Sequence, residues 1–532
     1  MFNTPATMKR TLLCLAAAAG FAGGAQAGLN EFKADVNAAI DAGIQYARNN
    51  NLFTAEPYGG YGYSTGLALL TLLEKESIPA GYTGLSAADK TLAQNAACIL
   101  IDSGNFGDRG SFYSYYDGQV LMALSVYLTT GGPDQPAASA GYNCAGRSAR
   151  ATIDKVTDRS MAAQTPGVPT LGGPQGYWGY SGNGYDSSTT QFTLAGLSAA
   201  KGFYAAMGES LDKNRLPLIT TTLDRTSAAY AVNGKQNSGS FFDTCGAGCF
   251  GHGYQSSYGA ASNSSQQTAS GTWGQLAGSA KNVNDAAIQG YLRWLQNSYN
   301  YNTNIRPDSW TPAYFYYLWS SSKAYNIIQH AGVAAAAGNV HPDDMGTLPA
   351  HASGRLVNRD PAVDARPAPR GAGAAGYYSG TPKGWYYDYA YRLMSLQNAA
   401  GQFVNSNSSW DSFADHSYAI LVLQRSLGGA CVDTDGDGVC DSVDNCPAVA
   451  NPGQENTYGD ARGDACEPRP VATCDIDGDF DVDQLDVNAV RAGIGQVPAA
   501  GDKRDVTGDG KITINDVRAC ILKCTRANCA TN

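Results

Sequence analysis

Side-chain oxygens recur at a fixed interval after residue 430. In Asp433-Thr-Asp-Gly-Asp-Gly-Val-Cys-Asp-Ser-Val-Asp444, carboxylates fall at loop positions 1, 3, 5, 9 and 12 (Asp433, Asp435, Asp437, Asp441, Asp444), and the carbonyl of Val439 stands at position 7. This is the ligand set that a hard cation such as Ca2+ takes. Two further loops keep the same interval. The first runs from Asp475 to Asp486 and offers Asp475, Asp477, Asp479, Asp481, Asp483 and Asp486; the second places Asp505, Thr507, Asp509, Lys511, Thr513 and Asp516 at the six positions. Phe480 replaces the usual glycine at position 6 of the first loop and weakens it, because the chain turns sharply there. Val482 and Ile512 both fall at position 8, a register that an unstructured acidic tail would not keep. Structural calcium, filled outside the cell, is the expected cofactor.

Upstream, the chemistry is less marked. Tyrosine outnumbers phenylalanine 32 to 15 and clusters as YGGYGY, GYWGY, YFYYLW and GWYYDYAY. Rings with an apolar face and a polar edge suit sugar stacking, and paired carboxylates would supply acid and base for glycoside chemistry. Acids beside aromatic turns are Asp117, Asp186, Asp388, Asp411 and Asp415, each equally suited to cap a helix. Asp186, Asp411 and His416 are the candidate catalytic residues. Asp343-Asp344 lies in a Pro/Gly-rich stretch and reads as a solvated pair; His252 reads as a loop histidine. Cys245 and Cys249 have no second pair nearby and read as a local disulfide, not a metal site.

Residues 1–27 have the layout of an export signal. Lys9 and Arg10 precede an apolar run, and Ala25-Gln26-Ala27 is a small-x-small cleavage signature. Leu13 before Cys14 does not suit lipoprotein processing. The run is too short to span a bilayer, which takes ~20 apolar residues, and no later stretch qualifies. A secreted, periplasmic or surface location follows. Without Cys14, twelve cysteines remain, an even number that suits disulfides in an exported chain. From 431 to 532 there are 19 Asp plus Glu against nine Lys plus Arg, a net of −10 that equals the charge of the whole chain. The first 430 residues are therefore neutral and lack the basic footprint of a nucleic-acid partner.

The elements that would position these residues are helices. Gly176 to Lys201 combines an aromatic, glycine-rich turn with a helix apolar on most of its circumference, which must be buried on several sides. Weaker copies stand at Tyr58–Leu73 and Ser406–Leu423. Periodicity predicts twelve helices before residue 428: 30–49, 65–76, 87–102, 118–129, 145–158, 187–207, 217–232, 266–280, 284–298, 312–331, 387–399 and 412–426. An all-α fold of six antiparallel pairs over residues 28–428 is expected, with a loop insertion at 340–384 too rich in Pro, Gly and charge to hold a core.

The run Gly184 to Leu197, with Thr268–Trp273, Gly290–Leu295, Tyr314–Trp319 and His416–Gln424, resembles the repeat of squalene-hopene cyclases and protein prenyltransferase β subunits, and most closely exported bacterial proteins that carry it. That resemblance implies an (α/α)6 toroid with a central cavity at one end. The cyclase Asp-x-Asp-Asp acid is absent. Asp186 and His416 match two zinc ligands of the prenyltransferases, but Ser188 stands where a cysteine is required, so zinc is not expected. Residues 431–467 resemble a thrombospondin type 3 repeat, which implies a Cys446–Cys466 bridge; Asn456 and Tyr458 stand where the family carries Asp. Residues 474–529 resemble a dockerin type I module, which implies a protein partner; Cys474 is expected to bond Cys520, Cys524 or Cys529. The reading is an exported calcium-binding protein whose toroid cavity binds or processes a glycan or an apolar small molecule. Its alternatives are a terpenoid or prenyl-type enzyme and a non-enzymatic matrix protein.

Overall fold

The structure is a computed structural model of the 532-residue chain. It describes residues 7–54, 64–75, 81–105, 112–137, 141–236, 248–254, 263–279, 281–303, 313–329 and 333–429, the last without 335, 351–355, 362, 365, 368–377, 379–380, 382 and 406–411. It also describes 444–446, 449–451, 455, 463–466, 474–477, 482–499, 501–524 and 529, with side chains from Gly28 onward. The chain divides into two units, 1–448 and 449–532.

The first unit is helical apart from a two-residue antiparallel ribbon, β1 (Lys235–Gln236) with β2 (Phe250–Gly251). Its helices are α1 (Thr7–Asn49), α2 (Thr65–Leu73), α3 (Ala87–Asn105), α4 (Ser114–Thr129), α5 (Ala149–Ala162), α6 (Ser187–Met207), α7 (Leu216–Asn233), α8 (Ser265–Gly274), α9 (Ala286–Asn297), α10 (Tyr314–Ile328), α11 (Trp385–Ser395) and α12 (Ser412–Leu423). Several starts are set by their first residues. Asp186 accepts from the backbone N–H of Ser188 and Thr189 and so caps α6, Ser148 caps α5 through Ala151, and Pro217 opens α7 where its missing N–H is harmless.

Burial sorts the helices into two sets. Every residue of α2 and α8 is buried, as is all of α4 but its last residue. In contrast α7 buries one stripe, Ile219, Thr222, Leu223, Thr226 and Tyr230, and α11 another, Trp385, Asp388, Tyr389 and Leu393. A helix buried all round needs neighbours on every side. The even-numbered helices supply them to one another: α2 packs on α4, α4 on α6, α6 on α8, α8 on α10, α10 on α12, and α12 returns to α2. The odd-numbered helices cover the outside: α3 lies on α2 and α4, α5 on α4 and α6, α7 on α6 and α8, α11 on α10 and α12, and α1 on α12 and α2.

The buried helices begin at one end. Tyr115, early in α4, touches Ser188, early in α6, and Tyr316, early in α10, reaches the same turn of α6. At this depth aromatic rings from three buried helices meet. Phe192 of α6 stacks on Tyr316 (6.1 Å) and Trp319 (5.3 Å) of α10, and its ring lies 6.4 Å from Tyr418 of α12.

The 340–384 segment also departs from expectation. Among its described residues, Val340, Met345 and Tyr378 are buried in the core and Arg359 is 1% exposed. Tyr378 packs edge-on against Phe32 (5.2 Å) and donates to Asp35, which also pairs with Arg366 (2.7 Å). A few large side chains anchor a stretch whose average composition is that of a loop. Asp343 is exposed and Asp344 closes a short 3-10 turn by accepting from His341 N (2.8 Å).

In the second unit, α13 (Gln484–Ala492) and α14 (Ile514–Ile521) pack on each other around Val482, Val487, Val490, Ile512 and Val517. Cys474 bonds Cys520, one of the three expected partners, and Cys524 bonds Cys529.

The tightest helix contact is α4 on α6. A Cβ added to Gly118 would collide with the carbonyl of Phe192, and one on Gly196 would stand 2.8 Å from the Cα of Gly118. Gly118→Ala is expected to destabilise the first unit by ~1–3 kcal/mol or more, read as a lowered urea midpoint; an unchanged midpoint would contradict this packing.

Candidate functional site

Two carboxylate clusters stand in the second unit. Oxygens of Asp475, Asp477 and Asp486 lie within 4.8 Å of one another, as do those of Asp505, Asp509 and Asp516. The last acid of each loop is fixed by the loop itself. Asp486 Oδ1 accepts from Ile476 N (2.6 Å) and Asp477 N (3.4 Å), and its Oδ2 accepts from Asp483 N (2.9 Å). Asp516 Oδ1 accepts from the N–H and hydroxyl of Thr507 (2.9 and 2.8 Å), and Oδ2 from those of Thr513 (2.7 and 3.0 Å). Burial pushes the Asp516 carboxyl up, but these hydrogen bonds outweigh it and hold the group at about 2.

Both loops lead into their helices by the same reciprocal cap, Asp483 with Asp486 and Thr513 with Asp516. Gly508 and Gly510 take positive φ (72° and 80°), the sharp turn that a chelating loop requires. Of the predicted ligands, Asp479 and Asp481 lie outside the described residues, as does Phe480. The Thr507 and Thr513 hydroxyls donate to Asp516 in the second loop. Lys503, which the spacing did not single out, donates to the carbonyl of Asp475 (2.8 Å).

Of the upstream loop only Asp444 is described; Asp433, Asp435, Asp437, Val439 and Asp441 lie outside. Asp444 is 9% exposed and accepts from Cys446 N (2.7 Å). Cys446 and Cys466 are both disulfide-bonded, as is Cys249. Residues 427–454 match the thrombospondin type 3 repeat family. No curated protein and no solved structure matches the chain. The repeat is a calcium-binding module, and with the disulfides it points to an extracellular protein. No described helix is long and apolar enough to cross a membrane.

In the first unit the candidate acids are dispersed. Asp186 is 3% exposed; its Oδ1 takes the Ser188 hydroxyl (2.6 Å), which in turn receives the Tyr115 hydroxyl (2.7 Å). Burial raises its carboxyl above the usual range, against the lowering effect of Ser188 and Tyr254. Asp117 is gripped by Arg159 (Nε to Oδ2, 2.7 Å), and burial still pushes it up to about 6. Asp388 accepts from the Tyr299 hydroxyl (2.9 Å) with the Arg359 guanidinium 3.5 Å away, and burial pushes it up to about 7. Asp415 is buried with Asn405 at 3.5 Å, and Asp411 lies outside the described residues.

His416 is 0% exposed, with Nδ1 accepting from Phe403 N (3.1 Å) and Nε2 donating to the carbonyl of Gly43 (2.9 Å). Both ring nitrogens thus tie α12 to α1 and to the turn before it. His252 is buried too, its Nε2 receiving the hydroxyls of Tyr177 (2.9 Å) and Tyr185 (3.1 Å). Lys323 of α10, which periodicity would place as an ordinary helix residue, is fully buried over Trp273 and Trp319 (5.0 and 5.4 Å), and burial lowers it to about 8.

Burial lowers His416 to about 4. The unfolded chain takes up this proton near pH 6.5, so the unfolded state binds more protons between these values. The contribution of His416 to stability is therefore expected to fall as pH drops from about 6.5 to about 4, while Asp117 and Asp388, whose carboxyls take up protons in the folded state first, contribute in the opposite direction. His416→Asn should lower stability at pH 7 and remove the His416 contribution from the slope of stability against pH, read in urea titrations run across the window; an unchanged slope would contradict the assignment.

Proposed function

We propose that this is an exported protein whose C-terminal segment is ordered by calcium and whose helical domain is an (α/α)6 toroid that binds a ligand. The observation that carries the calcium reading is the recurrence, about thirty residues apart, of one carboxylate arrangement with its last acid held by the same backbone positions. Like charges brought within 4.8 Å repel, and a divalent cation relieves this. The first loop carries six acids by sequence and the second only three, so on charge count the first is the tighter site despite Phe480 at its turn. Paired loops with a shared apolar core are similar to a dockerin module, a reading in which α13 and α14 present a protein-binding face. The leader-like residues 1–27 and the disulfides support export.

What supports the toroid is the closed succession of buried helices with a second set outside. Among ligands, a polar one fits better than a hydrocarbon, since the buried helix ends are rich in amides and hydroxyls. The alternatives of a terpenoid or prenyl-type enzyme and of a non-enzymatic matrix protein differ from this in the ligand and in the need for catalysis.

Metal-stripped full-length protein is expected to show a C-terminal unfolding transition that moves up by several °C when millimolar Ca2+ is added and back when EGTA follows. Asp475→Asn should remove more of that shift than Asp505→Asn. A transition indifferent to calcium and chelator would overturn the calcium reading.

A further inference from the structure

The early turns of the buried helices hold polar side chains that the fold does not use. Ser64 and Ser264 occupy the N-cap positions of α2 and α8, yet neither hydroxyl caps its helix or finds another partner. The Ser114 hydroxyl, Gln119 Oε1, Gln191 Nε2 and both amide atoms of Gln266 are likewise unpartnered. All six residues are 2% exposed or less. Buried polar groups are normally satisfied, because an unmet amide or hydroxyl forfeits its hydration.

Two of these residues are joined through α10. Gln191 Oε1 accepts from the Tyr316 hydroxyl (2.9 Å), which leaves its amide N–H groups aimed elsewhere. The Ser320 hydroxyl lies 3.1 Å from both Gln191 Oε1 and the carbonyl of Gln266. The Phe192 ring lies in the same layer, its centroid 4.9 Å from Tyr115 and 6.1 Å from Tyr316.

The chemistry of the layer selects its ligand. A hydrocarbon would leave the amides and hydroxyls unmet. An anion would want a fixed cation, and the first two turns of α2, α4, α6, α8 and α10 contain no Lys, Arg or His; Asp186 already supplies a carboxylate there. Amides that both donate and accept, hydroxyls, and flat rings suit vicinal hydroxyls on a carbon ring. We propose that the layer where the first turns of α4, α6, α8 and α10 meet binds an uncharged polyhydroxylated ligand, a sugar residue or a cyclic polyol, anchored by the Gln191 and Gln266 amides. This rests on the toroid reading above.

The test is calorimetric titration of the calcium-loaded full chain with glucose, galactose, N-acetylglucosamine, xylose, their short oligomers and myo-inositol at millimolar concentrations. The sugar and cyclitol arms separate the two sources of the same chemistry. At least one ligand is expected to bind, and Gln191→Leu and Gln266→Leu are each expected to weaken it about tenfold or more, with the ligand-free Tm unchanged or raised because an unmet amide has been removed. Gln266→Met serves where the leucine variant fails to fold. Absence of binding across the panel, or binding that survives both substitutions, overturns the proposal. A solved structure in which α12 does not return to α2 would overturn the toroid itself; one in which the ring stands and the Gln266 amide meets only ordered water would overturn the site alone.

Discussion

Burial of entire helices, not of helix faces, is the constraint from which the first unit follows. Thr65–Leu73 and Ser265–Gly274 expose no residue to solvent. Such helices are stable only inside a second layer, and they approach closely only where side chains are small. Gly118 and Gly196 permit the α4–α6 contact, and Gly66 does the same for α2 against Gln119. The first two turns of α2, α4, α6, α8 and α10 carry no Lys, Arg or His, so their polar groups are hydroxyls, amides and the carboxylate of Asp117. Where the chain does bury charge, it pairs an inner residue with one from outside, as Asp117 of α4 with Arg159 of α5.

Two buried charges stand apart from that pattern. Lys323 has no carboxylate within ion-pair distance among the described residues and rests on two indoles. Glu74, at the end of α2, accepts from the backbone of Gly428 (3.3 Å) and Gly429 (2.9 Å), so the field it contributes at Lys323 comes from a carboxylate already engaged in holding the chain after α12. Arg359 and Asp388 meet at 3.5 Å, and a buried pair of this kind fixes a conformation more than it stabilises one. Here it fixes the 340–384 segment on α11.

The second unit is built on the opposite principle. It has a small apolar core, and its order comes from local caps and disulfides, Cys474–Cys520 and Cys524–Cys529 among them. The loops differ in sequence at three of the six ligand positions, yet Asp486 and Asp516 both accept from the backbone of the third and ninth loop residues. The acid that closes each loop is thus oriented by the protein before any ion arrives.

The sequence by itself determined the helices and the loop register, because both depend on short-range periodicity. Ser187–Met207 was legible to its ends, and most other helices to within a few residues, from apolar spacing and, for Ser187–Met207, the cap at Asp186. The interval of oxygens in the tail was legible for the same reason. What only the tertiary structure decided is which polar residues are engaged. Nothing local distinguishes Asp186, an inward cap, from Asp117, an ion-paired one, and nothing in YFYYLWSSSKAY marks Lys323 as buried. Gln191 and Gln266 read as ordinary helix residues until helices far apart in the chain enclose them. His416 drew attention as a possible ligand, but its partners, Gly43 and Phe403, come from elsewhere in the chain. Hydrogen bonds between residues distant in sequence leave no periodic trace, so the fate of each buried polar group is settled by packing alone.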